Sequence, residues 1–371
     1  MFENNLLIST VIFYFFSYFI LRKEIGSKNS IYICIIKFSI PLVWLYMNDF
    51  ECLLLSDEIS YYVKSKQIYE GILSNGLIAL LNFNQYTHSS HFLFYMWNAF
   101  LFLIFGKSFY ISIMANVFLS CVSGRILLKI LRHIGVESKD SKIITVFYLL
   151  SPSVICWSSF HNLREIFLSV FLFLVLLQMM RFYEKQSLKN LFLLLISFLA
   201  MFPIRFYIII IATLTLSISL LKKKTSKILF LFIISSIFLS WGLVDLFAPS
   251  IKNLKMDFLN IAYGFIRFIL TPNPLNLDQK YYFIFPDAIF HTIMFPIFLV
   301  GIISVYRKYK LENGMIIIFL FVFLLVVFYA ILPQVQGPRQ RFPLSFFFIF
   351  CQYEGLLYIT EKIKKIAKNR L

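Results

Sequence analysis

The sequence predicts an all-α fold, a polytopic transmembrane helical bundle of about eleven spans with interfacial helices in its long external loops. Three observations predict it. Of 371 residues, 60% are hydrophobic and only 14% charged, and the mean hydropathy is +0.81. Nearly uncharged stretches recur that are long enough to cross a hydrocarbon core of about 30 Å as helices. Strand-like alternation is missing, and a spanning backbone must satisfy its own hydrogen bonds, which leaves helices.

In chain order the candidate spans are 5–21, 31–47, 109–131, 143–160, 163–182, 188–203, 205–221, 228–248, 284–306, 313–332 and 341–359. The opening MFENNLLIST has no basic n-region and no small-residue cleavage site follows it, so the first span reads as retained. Spans 188–203 and 205–221 meet at Pro203 as a candidate broken element. The run FLFYMWNAFLFLIFG (92–106) is apolar but short, and if it crossed, the sidedness of every later loop would invert. It reads as a helix lying in the interface or dipping back out. Two external loops are long, 48–91 and 249–283, the second with an amphipathic run ending in TPNPLNLD. No Gly/Ser linker or repeat interrupts the chain, which reads as a single membrane domain over 1–371.

The net charge of +17 reports orientation. The segments assigned to the inner side (22–28, 125–142, 181–189, 222–227, 307–312 and 361–370) hold 23 of the 35 Lys and Arg and six of the 18 acidic residues. The N-terminus is then outside and the C-terminus inside. Because the charge is spread over short connectors and a tail, no nucleic-acid partner is expected. The five cysteines are scattered, without a CxxC pair or Cys/His ligand spacing, so neither a disulfide framework nor a zinc site is indicated. No cofactor is evident, and nothing in the sequence supports a divalent metal.

Within LLLSDEISYY (53–62), Asp57 and Glu58 stand side by side. The plain reading is a helix start, with Ser56 as N-cap and two acids favouring the helix dipole. Ile59, Tyr62, Val63, Tyr69 and Ile72 approximate one face of an interfacial helix. Adjacent helical residues point about 100° apart, so the two carboxylates cannot serve one atom equally. Asp57 is the better catalytic candidate and Glu58 its support.

Other polar residues gather on the same side. HSSH holds His88 and His91, and SPSVICWSSFHNLREIF holds His161, Arg164 and Glu165 at a turn between spans. FPIRF holds Arg205, and PQVQGPRQRFPL holds Arg339 and Arg341 between prolines. Singly, each has a bland account, since Arg snorkels, His caps and Pro punctuates. Jointly, carboxylates and arginines on one external face of an apolar bundle look like a binding cleft. Glycosyl transfer from a lipid phosphate needs such a set, with a carboxylate as general base on an acceptor hydroxyl and arginines on the phosphate. No GxGxxG or GxxxxGK[ST] fingerprint occurs, which agrees with a donor built on a lipid and not on a nucleotide.

The sequence resembles the GT-C superfamily of integral-membrane glycosyltransferases. SDEISYYVKSKQIYEG is similar to the acidic motif of their first long external loop, and HSSHFLFYMWNAFLFLIFGKSFYISIMANVFLS to the segment that follows. LLSPSVICWSSFHNLREIFLSVFLFL resembles a later turn that often carries an acidic residue, and GPRQRFPLSFFFIF an arginine-aromatic-proline element before a late span. The resemblance implies a polyprenyl-phosphate-sugar donor, Asp57 as the catalytic acid, Glu165 as the second acidic position and Arg341 near the donor phosphate. The sequence departs from that pattern where Ser90 stands in place of proline, in an extra span before the motif, and in the lack of a large C-terminal external domain.

The expected site therefore comprises Asp57, Glu58 and Glu165 for catalysis and Arg339, Arg341, Arg205 and Arg164 for the donor phosphate. His88, His91, His161 and Tyr61 are further substrate-binding candidates. The expected activity is transfer of a sugar or glycan from a polyprenyl-phosphate-linked donor to a lipid or glycan hydroxyl in cell-surface polysaccharide assembly. The site would face the exterior of the inner (plasma) membrane. A repeat-unit polymerase of the O-antigen type stands close to this reading. A lipid-linked oligosaccharide flippase is the alternative of another class. It usually needs ionisable residues deep in the spans, where here only Lys37 and Glu354 lie.

Overall fold

A computed structural model describes residues 2–47, 55–81, 91–222, 258–310, 314–332 and 337–370. The described residues are helical, without a strand. Among them, six helices are long and apolar enough to cross a membrane: Leu6–Ile25, Ser27–Met47, Phe109–His133, Glu165–Glu184, Gln279–Tyr309 and Pro338–Asn369. A seventh forms if the bent pair Ser138–Leu150 and Pro152–Ser159 is one span. The expected span 228–248 and His88 lie outside the described residues.

The chain divides into two compact units. The first comprises Met1–Leu128, Ser138–Phe171 and Leu277–Asp287. Its helices are α1 (Phe2–Ile25), α2 (Ser27–Met47), α3 (Ser56–Asn75), α4 (Phe92–Phe105), most of α5 (Phe109–His133), α6 (Ser138–Leu150), α7 (Pro152–Ser159) and the start of α8 (Glu165–Glu184). Helices α1 and α2 are joined by Gly26 alone, at φ 90°, a left-handed conformation that glycine adopts without a Cβ clash. Phe13 of α1 packs on Phe105 and Phe118, with ring centroids 5.3 and 5.6 Å away.

Helix α3 packs on α4 through Tyr62 and Tyr69, both against Phe102, and through Tyr61 against Phe94. Its buried face is Glu58, Tyr61, Ser65 and Ile68, at the i, i+3, i+7, i+10 spacing of one helical stripe. Ile59 and Val63, on the face expected to rest in the lipid boundary, are exposed. The aromatic wall of α4 offers a surface to the tyrosine rings of α3. Helix α4 itself buries Phe94, Tyr95, Asn98, Ala99, Leu101 and Phe102.

The expected span 143–160 is bent at a break. Helix α6 ends at Leu150 and α7 starts at Pro152, bent by 47°. Pro152 has no N–H to continue the helix but suits a first turn, and Ser151 caps α7 by accepting from Val154 N at 3.3 Å. In the last turn of α6, where carbonyls lack helical donors, Leu149 O accepts from Lys37 Nζ of α2 at 3.1 Å. Lys37 is fully buried, so this deep lysine secures a helix break.

The second unit comprises Lys129–Glu137, Leu172–Asn276 and Ala288–Leu371. It contains the remainder of α8, then α9 (Leu188–Met201), α10 (Phe206–Lys222), α11 (Phe258–Leu270), most of α12 (Phe285–Tyr309), α13 (Met315–Ile331), the single turn α14 (Pro338–Arg341) and α15 (Ser345–Arg370). Helices α9 and α10 are separate elements with Pro203 between them. Helices α12 and α15 meet backbone to backbone: a Cβ on Gly301 would lie 1.7 Å from Cys351 O, and one on Gly355 2.3 Å from Ile297 O. Only glycine permits that approach. Deep in this unit Glu354 is bonded by Lys308 Nζ at 2.9 Å and by Tyr309 Oη at 2.9 Å.

Candidate functional site

Helix α3 starts one residue earlier than expected. Leu55 is the N-cap, with extended backbone, and Glu58 is the third helical residue. From there its carboxylate reaches back, and Oε2 accepts Leu55 N at 2.7 Å, satisfying one of the orphan donors of the helix start. The same carboxylate has two partners more than a hundred residues away. Oε1 accepts Asn162 N at 2.6 Å, and Oε2 stands 3.0 Å from His161 Nδ1. Glu58 is wholly buried, and a buried carboxylate is tolerated only when paired and hydrogen-bonded in this way.

The partners of Glu58 sit on the tight turn between α7 and α8. Asn116 of α5 fixes that turn from beneath, its Nδ2 donating to Leu163 O at 3.1 Å. Phe283 closes over His161, with ring centroids 4.5 Å apart and near edge-on, and rests in turn on Trp157 of α7 at 5.2 Å. An ionised Glu58 accepts only, so the Nδ1 of His161 carries the proton of that contact.

Asp57 differs in burial. It is half-buried, beside the closed carboxylate of its neighbour. Lys280, which pairs with Asp278 at 2.9 Å, stands within electrostatic reach of Asp57. The two adjacent acids thus differ in burial, Glu58 wholly enclosed and Asp57 half-buried within reach of a lysine.

A second contact ties the loop after α3 to the same turn. Arg164 hydrogen-bonds Nδ1 of His91, which precedes α4. Guanidinium only donates, so His91 accepts at Nδ1 and is neutral in this arrangement. Tyr61 is buried beside His91, with ring centroids 5.7 Å apart. Glu165 opens α8 and is wholly buried, an acid in the first turn where the helix dipole favours it. Asp57, Glu58, Tyr61, His91, His161, Arg164 and Glu165 therefore all belong to the first unit.

The other expected arginines belong to the second unit and have partners there. Arg205, just before α10, donates to Tyr207 Oη at 3.0 Å and Tyr329 Oη at 3.2 Å, and the two hydroxyls are 2.9 Å apart. Arg341 is buried, donates to Thr271 O at 2.6 Å and lies over the Phe348 ring, 4.8 Å from its centroid. Arg339 is half-buried on α14.

Several residues of these arrangements carried no sequence signal. His291 Nε2 bonds Ile269 O at 2.9 Å, so His291 and Arg341 together serve the carbonyls at the end of α11, where the positive charge of Arg341 is favourable. His291 sits in a mostly apolar run, FHTIMF, beside only one polar residue, Thr292. Asn162 acts through its backbone N–H, which no side chain advertises. Among the described residues no group of three or more His, Cys, Asp or Glu is placed to hold a metal ion.

Compared with known proteins, the chain matches no family model, no curated protein and no solved structure. Its class, on the fold alone, is a multi-pass helical membrane protein.

Proposed function

We propose that the chain is a membrane glycosyltransferase that moves a sugar or glycan from a polyprenyl-phosphate-linked donor to an acceptor hydroxyl during cell-surface polysaccharide assembly. It crosses the membrane eleven times and works at the outer face of the plasma membrane. One observation carries the reading: half-buried Asp57 stands beside the bonded Glu58–His161 pair in the same unit as Arg164.

The acceptor hydroxyl gives its proton to Asp57 as its oxygen attacks the anomeric carbon. The bond from that carbon to the phosphate oxygen breaks, and the phosphate leaves with the electron pair. Arg164, in the same unit as Asp57, receives the charge on the leaving phosphate. Lys37 and Glu354, the deep ionisable residues, hold a carbonyl and a Lys–Tyr pair, and this supports an enzyme over a transporter.

The test is a deletion strain complemented with wild type or Asp57→Asn at matched membrane levels, scored by lipid-linked glycan and surface polysaccharide profiles. Wild type restores the glycan and Asp57→Asn does not. A deletion that leaves the glycan unchanged overturns the reading, and a defect in chain length alone assigns the protein as a repeat-unit polymerase.

A further inference from the structure

Two adjacent carboxylates at a candidate site invite the same role, and the geometry separates them. Glu58 has no exposed surface, and both of its oxygens are engaged, by Leu55 N, Asn162 N and His161 Nδ1 at 2.6 to 3.0 Å. An oxygen so enclosed has no path to an acceptor hydroxyl. Its three partners nevertheless come from two places, the start of α3 and the turn between α7 and α8. The carboxylate is a joint between them.

We infer that Glu58 is a positioning residue whose bonds to His161 and Asn162 fix the start of α3, and with it Asp57, against the turn that carries Arg164. The inference rests on the glycosyltransferase reading for its consequence, since the function placed is that of Asp57 and Arg164.

The physical reason is covalent adjacency. Asp57 is one residue from Glu58 in the first turn of α3, and backbone that holds Glu58 holds Asp57 within a fraction of an ångström. Arg164 is two residues from Asn162. One carboxylate therefore sets the separation of the proposed base from the proposed phosphate-binding cation. A mechanism that moves a proton and a phosphate in one step depends steeply on that separation, and an error of about 1 Å costs on the order of 100-fold.

Two measurements on the full-length protein test it. The first needs no substrate. Purified protein in detergent is labelled with a water-soluble carbodiimide and an amine, and the modified carboxylates are mapped by mass spectrometry. Asp57 reacts and Glu58 is protected. In His161→Leu, which removes one partner, Glu58 becomes reactive. In His161→Asn, whose side-chain amide places a donor where Nδ1 stood, Glu58 stays protected. Equal labelling of Glu58 and Asp57 in wild type overturns the inference.

The second is surface glycan per molecule of folded protein in the complemented deletion strain. Asp57→Asn abolishes it. Glu58→Gln and His161→Leu lower it by about 10- to 100-fold. His161→Asn restores at least half of the wild-type amount, which a proton-transferring imidazole could not do. Wild-type glycan with Glu58→Gln overturns the positioning role, and so does full loss with Glu58→Gln alongside normal glycan with Asp57→Asn, which makes Glu58 the base. A deletion strain with normal glycan defeats the glycosyltransferase reading, while the labelling pattern still decides whether Glu58 is the joint.

Discussion

Lys37 Nζ donates to the carbonyl of Leu149 across 112 residues of sequence, at the point where α6 breaks into α7. Two magnitudes compete there. An orphaned buried carbonyl costs about 1 to 3 kcal/mol. A buried amine carries a desolvation penalty of several kcal/mol that its removal returns. Lys37→Met is therefore expected to change global stability by less than about 1 kcal/mol, read as a small shift in thermal unfolding in detergent. Amide exchange around 150–154 is expected to accelerate, because the break loses its external donor. A drop in unfolding temperature of ten degrees or more would show that the ammonium group is a net stabiliser.

The bond from Asn162 to Glu58 comes from the backbone, so side-chain and backbone changes should separate. Asn162→Ala keeps the N–H and is expected to leave the turn intact. Asn162→Pro deletes the donor and leaves Glu58 short of one charge-assisted bond, a loss of roughly 2 kcal/mol. Thermal unfolding of the two variants side by side checks the difference, and equal behaviour would remove the Asn162 N–H from the account.

Close contact of α12 and α15 is set by glycine. Gly301→Val must push the helices apart, since even a single Cβ would meet Cys351 O at 1.7 Å. Overpacking of that kind costs about 3 kcal/mol. The expected result is lower membrane yield and a lower unfolding temperature. A stable, well-expressed Gly301→Val protein would contradict the packing.

Arg341 and His291 hold the C-terminal carbonyls of α11. Arg341→Met with His291→Leu should loosen the last turn of that helix before anything else. Hydrogen exchange over 258–270 is expected to rise by about 10-fold or more, equivalent to roughly 1.4 kcal/mol of local opening. Unchanged exchange would show that the packing of Phe268 on Tyr329, with centroids 5.0 Å apart, suffices alone.

Much of the architecture was legible because hydropathy acts locally. Helices α2 and α5 stand where uncharged runs predicted them, since each run decides its own conformation. The break at Ser151 was visible as Pro152 yet reads as part of one span, because a proline in a first helical turn and one in a helix interior look alike in sequence. Site contacts were legible only as residue types. Glu58 meets its partners 103 and 104 positions away, and no local pattern specifies which of two neighbouring acids turns inward. The buried aromatic wall of α4 decides that, by taking Tyr61 and so orienting the helix. For the same reason nothing local marks Thr271 O, 70 residues away, as the partner of Arg341.

The central claim is most directly tested by reconstitution. Lipids extracted from the deletion strain, in which the lipid-linked donor accumulates, are combined in proteoliposomes with purified wild type or Asp57→Asn, and free polyprenyl phosphate is quantified by mass spectrometry. Wild type is expected to consume the donor and release polyprenyl phosphate, and Asp57→Asn to leave it intact. Release by neither protein, or equally by both, would contradict glycosyl transfer at Asp57.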